Sequence, residues 1–179
     1  MNGYTFSDGD LEIRPQDHAD AEAHLRGEDD QQRIWLWNDE AREDAALATP
    51  VDRLATTRTW ITANRAAFDA GGPKFCFSVT VAGTLVGYID ANTVLDDDPG
   101  VANIAYVVYP AFRRKGYATR AVALILEFLA AHTTIETARL VIDEGNVPSF
   151  GVAAASGFLP AAPSNGTALP GRRFLRAVR

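Results

Sequence analysis

Cysteine is almost absent from this chain of 179 residues, and so are the features of a secreted or membrane-spanning protein. The single cysteine, Cys76, excludes a disulfide within the chain and agrees with a reducing compartment. The N-terminus, Met1 to Tyr4, lacks the basic and apolar regions of a signal peptide, and no apolar run is long enough to span a bilayer. We therefore expect a cytoplasmic protein with no membrane partner.

An excess of positive charge is also missing. The net charge of −6 argues against broad binding to nucleic acid, for which a basic surface would be expected. The three histidines, His18, His24 and His132, lack the spacing of metal ligands. The length corresponds to one domain, residues 1–179, with a sizeable core. The sequence thus predicts a single domain with no metal and no nucleic-acid partner.

Short apolar stretches with period-two alternation are interspersed with segments of helical spacing. The first kind predicts strands over residues 10–14, 75–81, 85–91, 101–109, 137–143 and 173–178. The second kind predicts helices over residues 17–27, 51–70, 116–131 and 148–157, separated by loops that include residues 28–50 and 160–170. Antiparallel strands followed by a strand–helix–strand tail predict an α/β fold, with a sheet of mixed direction and helices on both faces.

The segment 109–119 joins a predicted buried strand to a predicted helix. Arg113, Arg114 and Lys115 come directly before Gly116, where the helix begins. A helix N-terminus offers unpaired N–H groups and a partial positive charge, and a glycine lets an anion approach the backbone closely. Together these features predict a loop that binds a pyrophosphate.

The pattern Arg113-x-x-Gly116-x-Ala118 resembles the acyl-CoA signature of the GNAT acyltransferase superfamily, a Gln or Arg followed by two residues, Gly, any residue, and Gly or Ala. After the next predicted strand come Asn-Val-Pro-Ser at residues 146–149 and Gly-Phe at residues 157–158. This order of motifs is similar to the branch that contains the ribosomal-protein N-terminal acetyltransferases (RimJ/RimL-like).

The resemblance covers residues 11–158 and implies the GNAT fold. That fold has a mixed, mostly antiparallel central sheet flanked by helices on both faces, with a V-shaped gap between two parallel strands, here 101–109 and 137–143. The resemblance implies acetyl-CoA as co-substrate and a primary amine as acceptor, either a protein N-terminus or a small molecule. It further implies direct attack in a ternary complex and a monomer or homodimer.

The resemblance also implies which residues contact the coenzyme A thioester. They lie at the end of the strand, in the loop and at the start of the last helix: Tyr106, Val107, Val108, Arg113, Arg114, Lys115, Gly116, Tyr117, Ala118, Thr119, Asn146 and Ser149. A backbone N–H near Val107 would polarise the thioester carbonyl as negative charge develops on its oxygen.

Two residues of the segment 146–149 have competing interpretations. Ser149 is the candidate proton donor to the leaving thiolate. Alternatively, it could serve only to satisfy backbone groups at the helix start that follows Pro148. The amide of Asn146 could pair with pantetheine, whereas asparagine also suits a turn after Gly145. Because a thiol ionises with a pKa of roughly 8.5, the thiolate could also leave with help from solvent alone.

The general base is the least determined part of the site. Where many relatives carry a glutamate on the strand before the loop, this chain has Asn103, which cannot accept a proton. Asp90 is the favoured candidate, both as base and as acceptor contact, because a charge within an otherwise apolar strand is costly unless it is used. The alternatives are Asp39, Glu40 and Asp143, each of which a solvated surface would also explain.

The acceptor side is expected to involve the segment 28–50. Trp35 and Trp37 could form a wall of the acceptor site, or they could fill the core. Acidic residues near the expected entrance, Asp39, Glu40 and residues 96–98, would attract a cationic acceptor, and a solvated surface would explain them equally well. Two other classes of function stay open: a GNAT-fold sensor that binds acyl-CoA without turnover, and a nucleotide-binding regulatory domain.

Overall fold

The structure is a computed structural model in which residues 4–32, 49–95, 98–162 and 171–179 are described. The strands are β1 (Phe6–Asp8), β2 (Leu11–Pro15), β3 (Lys74–Val81), β4 (Thr84–Asn92), β5 (Val101–Val108), β6 (Thr137–Ile142), β7 (Leu159–Ala161) and β8 (Arg172–Ala177). The α-helices are α1 (Ala21–Gly27), α2 (Pro50–Asp69), α3 (Tyr117–His132) and α4 (Val147–Ala155).

These residues form one eight-stranded sheet in the order β1-β2-β3-β4-β5-β6-β8-β7. Every pair of neighbouring strands is antiparallel except β5 and β6, which are parallel and connected through α3. The predicted strands and helices are confirmed to within two residues at most ends. Two edge strands of three residues, β1 and β7, were not predicted, because a strand of that length leaves little periodicity to detect.

Helices cover both faces of the sheet, as predicted. Tyr88 and Ile89 are consecutive on β4, and their side chains therefore point to opposite faces. The ring of Tyr88 contacts Trp60 of α2, whereas Ile89 belongs to the main core cluster with Phe128 of α3. The core around Phe128 consists of edge-to-face rings and aliphatic side chains with almost no exposure.

The parallel strands β5 and β6 diverge soon after they begin. They pair at only three positions, Val101 with Thr137, Ala102 with Ala138 and Asn103 with Arg139. On its other side β5 stays paired with β4 as far as Val108. The carboxyl-terminal half of β5 therefore borders a V-shaped gap on the side of β6, as the resemblance implied.

Gly87 permits β4 to approach β5 closely on the side of β5 that faces away from this gap. A Cβ atom at Gly87 would lie 2.0 Å from the carbonyl oxygen of Val107, which is backbone and cannot rotate away. We expect Gly87→Ala to lower the free energy of unfolding by about 1–3 kcal/mol, the usual range for overpacking, as measured by urea denaturation. Gly151→Ala is the matched control, since nothing lies within 4 Å of that position, in the middle of α4. Equal stability of Gly87→Ala and wild type would contradict the close approach.

Candidate active site

The loop that follows β5 has an unusual backbone for its length. Residues Pro110–Phe112 form a 3-10 turn, and then Arg114 and Gly116 adopt positive φ angles of 62° and 78°. Gly116 is the N-cap of α3 and has open space around the position of a Cβ. The two left-handed residues turn the chain sharply from the end of the sheet into the helix.

The N-terminus of α3 presents backbone N–H groups that the helix itself does not use. The first hydrogen bond of the helix runs from the N–H of Arg120 to the carbonyl of Gly116, at 3.2 Å. The N–H groups of Tyr117, Ala118 and Thr119 precede it and have no partner within the helix. The first turn of α3 contains no acidic residue. The geometry therefore suits an anion, as the loop sequence predicted.

The three cations of the loop differ in their surroundings. Arg113 is held back against the protein, because its Nε donates to the carbonyl of Val108 at 2.9 Å and its guanidinium lies 2.8 Å from the carboxylate of Asp29. Arg114 and Lys115 are exposed, and the Lys115 ammonium lies 5.7 Å from the centre of the Phe112 ring. Arg114 and Lys115 are thus the more exposed cations of the loop, whereas Arg113 also ties the loop to the end of β5.

The start of α4 lies across the gap from β5. The side chain of Asn146 caps this helix by accepting a hydrogen bond from the N–H of Ser149 at 3.4 Å. The carbonyl oxygen of the Asn146 side chain therefore has a structural use, and its amide nitrogen is not part of that bond. Ser149 is half-buried in the first turn, where its hydroxyl comes close to that of Tyr106 on β5.

Asp90 is buried on the opposite face of the sheet from Tyr106. It pairs across the strands with Cys76 and Ala105, and its carboxylate lies 3.7 Å from the ammonium of Lys74. Burial raises the pKa of Asp90 to about 6, although the charge of Lys74 acts in the other direction. A carboxylate with this pKa accepts a proton near neutral pH more readily than an exposed one.

Cys76 is not a candidate nucleophile. Its side chain is completely buried beside Asp90, and burial together with this carboxylate raises the pKa of the thiol well above its ordinary value. A thiol in such surroundings stays protonated and inert.

A buried aromatic cluster, not identified from the sequence, fastens α1 to the residue that begins the loop. The Nδ1 of His24 and the hydroxyl of Tyr109 share a hydrogen bond, and the ring of His24 also contacts Tyr88 and Trp60. Burial lowers the pKa of His24 to about 4, so the imidazole is neutral. A Cβ at Gly27 would lie 2.4 Å from the Tyr109 ring, which shows how closely α1 packs on it.

Asn103, at the strand position where the resemblance implied a glutamate, is a hydrogen-bonded amide. The side-chain oxygen of Asn103 accepts from the Nε of Arg139 at 3.1 Å. Arg139 is buried, and its guanidinium lies 3.8 Å from the carboxylate of Asp98, which also contacts Arg173. The alternative base Asp143 is exposed and accepts a turn hydrogen bond from the N–H of Gly145.

Several predicted acceptor residues cannot be placed. Trp35, Trp37, Asp39 and Glu40 lie outside the described residues, as do Asp96 and Asp97. Among the residues with a described position, no three His, Cys, Asp or Glu side chains form a group that could hold a metal ion. No helix in the described ranges is long and apolar enough to cross a membrane.

Comparison with solved structures finds the same fold in acetyltransferases. RimJ from Mycobacterium smegmatis, solved with a CoA-disulfide, has 20% identity and a TM-score of 0.76, over 93% of this chain and 81% of that one. RimL, a ribosomal-protein α-N-acetyltransferase solved with coenzyme A, has 17% identity and a TM-score of 0.72, over 95% of both chains. The microcin self-immunity acetyltransferase MccE, solved with acetyl-CoA and AMP, has 16% identity and a TM-score of 0.69, over 95% of this chain and 93% of that one.

No curated protein matches the chain by sequence. The family model for the acetyltransferase (GNAT) domain, however, matches residues 10–159, which include β2 to α4 and the whole of the loop and gap described above. The resemblance predicted from the loop motif is therefore confirmed, and the chain belongs to the GNAT family as an acyl-CoA-dependent acetyltransferase.

Proposed function

We propose that the protein transfers an acetyl group from acetyl-CoA to a primary amine by direct attack in a ternary complex. The observation that carries this proposal is the arrangement of groups around the gap between β5 and β6. The helix N-terminus and two exposed cations lie at its mouth, two hydroxyl groups lie toward α3 and α4, and a buried carboxylate lies on the other face of the sheet.

In this arrangement the deprotonation of the amine and the departure of the thiolate would take place on opposite faces of the sheet. Ile89 and Tyr106 are cross-strand partners and share one face, whereas Asp90 and Ala105 share the other. With the pyrophosphate held at the loop, pantetheine would enter the gap between these faces. The amine would then approach from the side of Asp90 as general base, and the thiolate would leave on the side of Ser149. The N–H groups of β5 near Val107 would stabilise the charge on the acyl oxygen.

For the acceptor we propose a protein N-terminus. The support is the likeness in fold to RimJ and to RimL, whose name states that it acts on a ribosomal protein. The likeness to MccE keeps a small-molecule amine as the second candidate acceptor. One observation supports the sensor hypothesis: Asn103, at the position where the resemblance implied a glutamate base, is paired with Arg139.

The test is a calorimetric titration with acetyl-CoA, followed by release of coenzyme A in the presence of candidate amines. The amines are unmodified peptides of ribosomal-protein N-termini, the same peptides with a blocked N-terminus, and a polyamine. Turnover with the unmodified peptides alone supports the proposed acceptor, and turnover with only the polyamine would replace it by a small amine. Binding of acetyl-CoA without turnover on any amine would favour the sensor, and failure to bind would overturn the proposed function.

A further inference from the structure

The hydroxyl of Tyr106 is a buried polar group whose use is not explained by the fold. Its oxygen is shielded from solvent and has no hydrogen-bond partner in the part of the chain that the structure describes. A buried hydroxyl that gives up water without a replacement costs free energy, and each such group in a native protein calls for an explanation. A group that binds beside it would provide one.

Tyr106 lies where such a group would arrive. It is on β5, past Asn103, the last residue of this strand that pairs with β6. Its side chain shares a face with Ile104 and packs against the main core, between the sheet and the helices α3 and α4. Burial raises the pKa of Tyr106, and the nearby hydroxyl of Ser149 acts in the other direction. Two hydroxyls, one from each side of the V-shaped gap, therefore converge at this place.

We propose that Tyr106 donates a hydrogen bond from its hydroxyl to the sulfur of the acyl donor and, together with Ser149, stabilises the departing thiolate. This assignment rests on the function proposed above and adds a catalytic residue to it. As the acceptor nitrogen forms the new C–N bond, the C–S bond breaks and sulfur leaves with the bonding electron pair. The surplus proton of the amine goes to the base, and the thiolate takes up a proton from solvent, so that an amide and a thiol are formed.

Tyr106 keeps its own proton throughout this step. Because burial raises the pKa of the phenol above its ordinary value, the phenol holds its proton more tightly than a thiol does. A neutral hydroxyl that donates to a charged sulfur gives a charge-assisted hydrogen bond, which is stronger than a bond between neutral groups. A hydrogen bond from Tyr106 to the neutral thioester sulfur is weaker. The hydrogen bond therefore stabilises the transition state, in which charge develops on sulfur, more than it stabilises the bound thioester.

The test titrates the thiol of coenzyme A bound to the protein, which needs no knowledge of the acceptor. The ultraviolet absorbance of the thiolate is followed as pH rises, with the protein alone subtracted. The buried Cys76 does not interfere, because its pKa is raised well above the ordinary value. In the wild type the bound thiol should ionise at lower pH than free coenzyme A. In Tyr106→Phe the ionisation constant should fall by about tenfold, and in Tyr106→Phe/Ser149→Ala by more than that.

Tyr4→Phe is the matched control. It removes the same hydroxyl from an exposed tyrosine that packs on Phe68 and His132, at the far end of α3. Its bound thiol should titrate like that of the wild type. Since the Tyr106 hydroxyl has no hydrogen-bond partner among the described residues, Tyr106→Phe should also unfold at the same or a higher urea concentration, which separates its role from a structural one.

Two results would overturn the assignment. If Tyr106→Phe binds coenzyme A with wild-type affinity and its bound thiol titrates like that of the wild type, Tyr106 does not contact the sulfur. If the wild type fails to bind coenzyme A at all, the proposed function fails and the assignment of Tyr106 fails with it. The first result leaves the proposed function standing, so the two failures are distinguishable.

Discussion

Replacement of Gly116 by aspartate is expected to lower the affinity for acetyl-CoA by at least about 100-fold, since like charges in contact cost several kcal/mol. Gly116 is the N-cap of α3 and has a φ angle of 78°. A carboxylate there would lie beside the free N–H groups of Tyr117, Ala118 and Thr119 and would repel the pyrophosphate. Calorimetric titration of the folded variant with acetyl-CoA measures the effect.

Gly83→Asp is a closely matched control for this experiment. Gly83 has a φ angle of 77° in the turn between β3 and β4, and nothing lies within 4 Å of its Cβ position, as at Gly116. The cost of placing aspartate in the left-handed region is therefore similar at both sites, whereas only Gly116 starts a helix. Gly83→Asp should bind acetyl-CoA like the wild type. Similar binding by Gly116→Asp and Gly83→Asp would show that the pyrophosphate is held elsewhere.

Replacement of Asp90 by asparagine is expected to reduce turnover at neutral pH by about 100-fold, the lower part of the range for general-base catalysis. The wild-type rate should fall as pH drops through about 6, because the raised pKa of Asp90 means that the carboxylate is protonated below it. The variant should lack this inflection, and its deficit should shrink as pH rises and the free amine becomes more abundant. A pH–rate profile in Asp90→Asn that matches the wild type would remove Asp90 from the mechanism.

Asp90→Asn should lower turnover but raise the stability of the folded protein at neutral pH. The pKa of Asp90 is raised from 3.8 to about 6 on folding, so the folded state binds the proton more tightly than the unfolded chain. The stabilisation of the folded state that comes from this tighter proton binding is fully present below pH 3.8 and is lost as pH rises through 6. At about 1.4 kcal/mol per pKa unit, the ionised form costs the native state up to about 3 kcal/mol at neutral pH. Asp90→Asn does not titrate and should gain up to that amount relative to wild type between acidic and neutral pH.

Urea denaturation at several pH values measures this difference. Asp69→Asn is the control, because Asp69 is exposed and pairs with Arg65 within α2. Its stability relative to the wild type should change little over the same interval. A constant difference between Asp90→Asn and the wild type across that interval would show that the carboxylate is not held protonated by the fold.

The sequence carried enough information for the fold and for the donor loop because both depend on residues that are close together in the chain. Alternation along β3 and helical spacing along α3 are local patterns, and so is the run of Arg113, Arg114 and Lys115 before Gly116. The positive φ of Gly116 follows from the same local need for a sharp turn into a helix. A family motif of this kind therefore identified the GNAT domain without any knowledge of contacts.

The sequence could not show what each functional side chain contacts. The sequence predicts Arg113 as a phosphate ligand, and only the fold shows that it also pairs with Asp29, far away in the chain. From the sequence, Asn103 is only a residue that cannot act as a base. Its partner Arg139 is revealed by the register of β5 with β6. Local patterns do not encode such pairs, because they form between segments that the topology brings together.

By itself, then, the sequence determined the family, the order of the elements and the loop that starts α3, since these follow from periodicity and local turn chemistry. The tertiary structure alone decided that Asp90 is buried with a raised pKa, that β5 and β6 part after Asn103, and that the hydroxyl of Tyr106 is shielded from solvent without a hydrogen-bond partner among the described residues. Burial, strand separation and unpaired groups are properties of the packed chain, and they arise only when distant segments exclude water from one another.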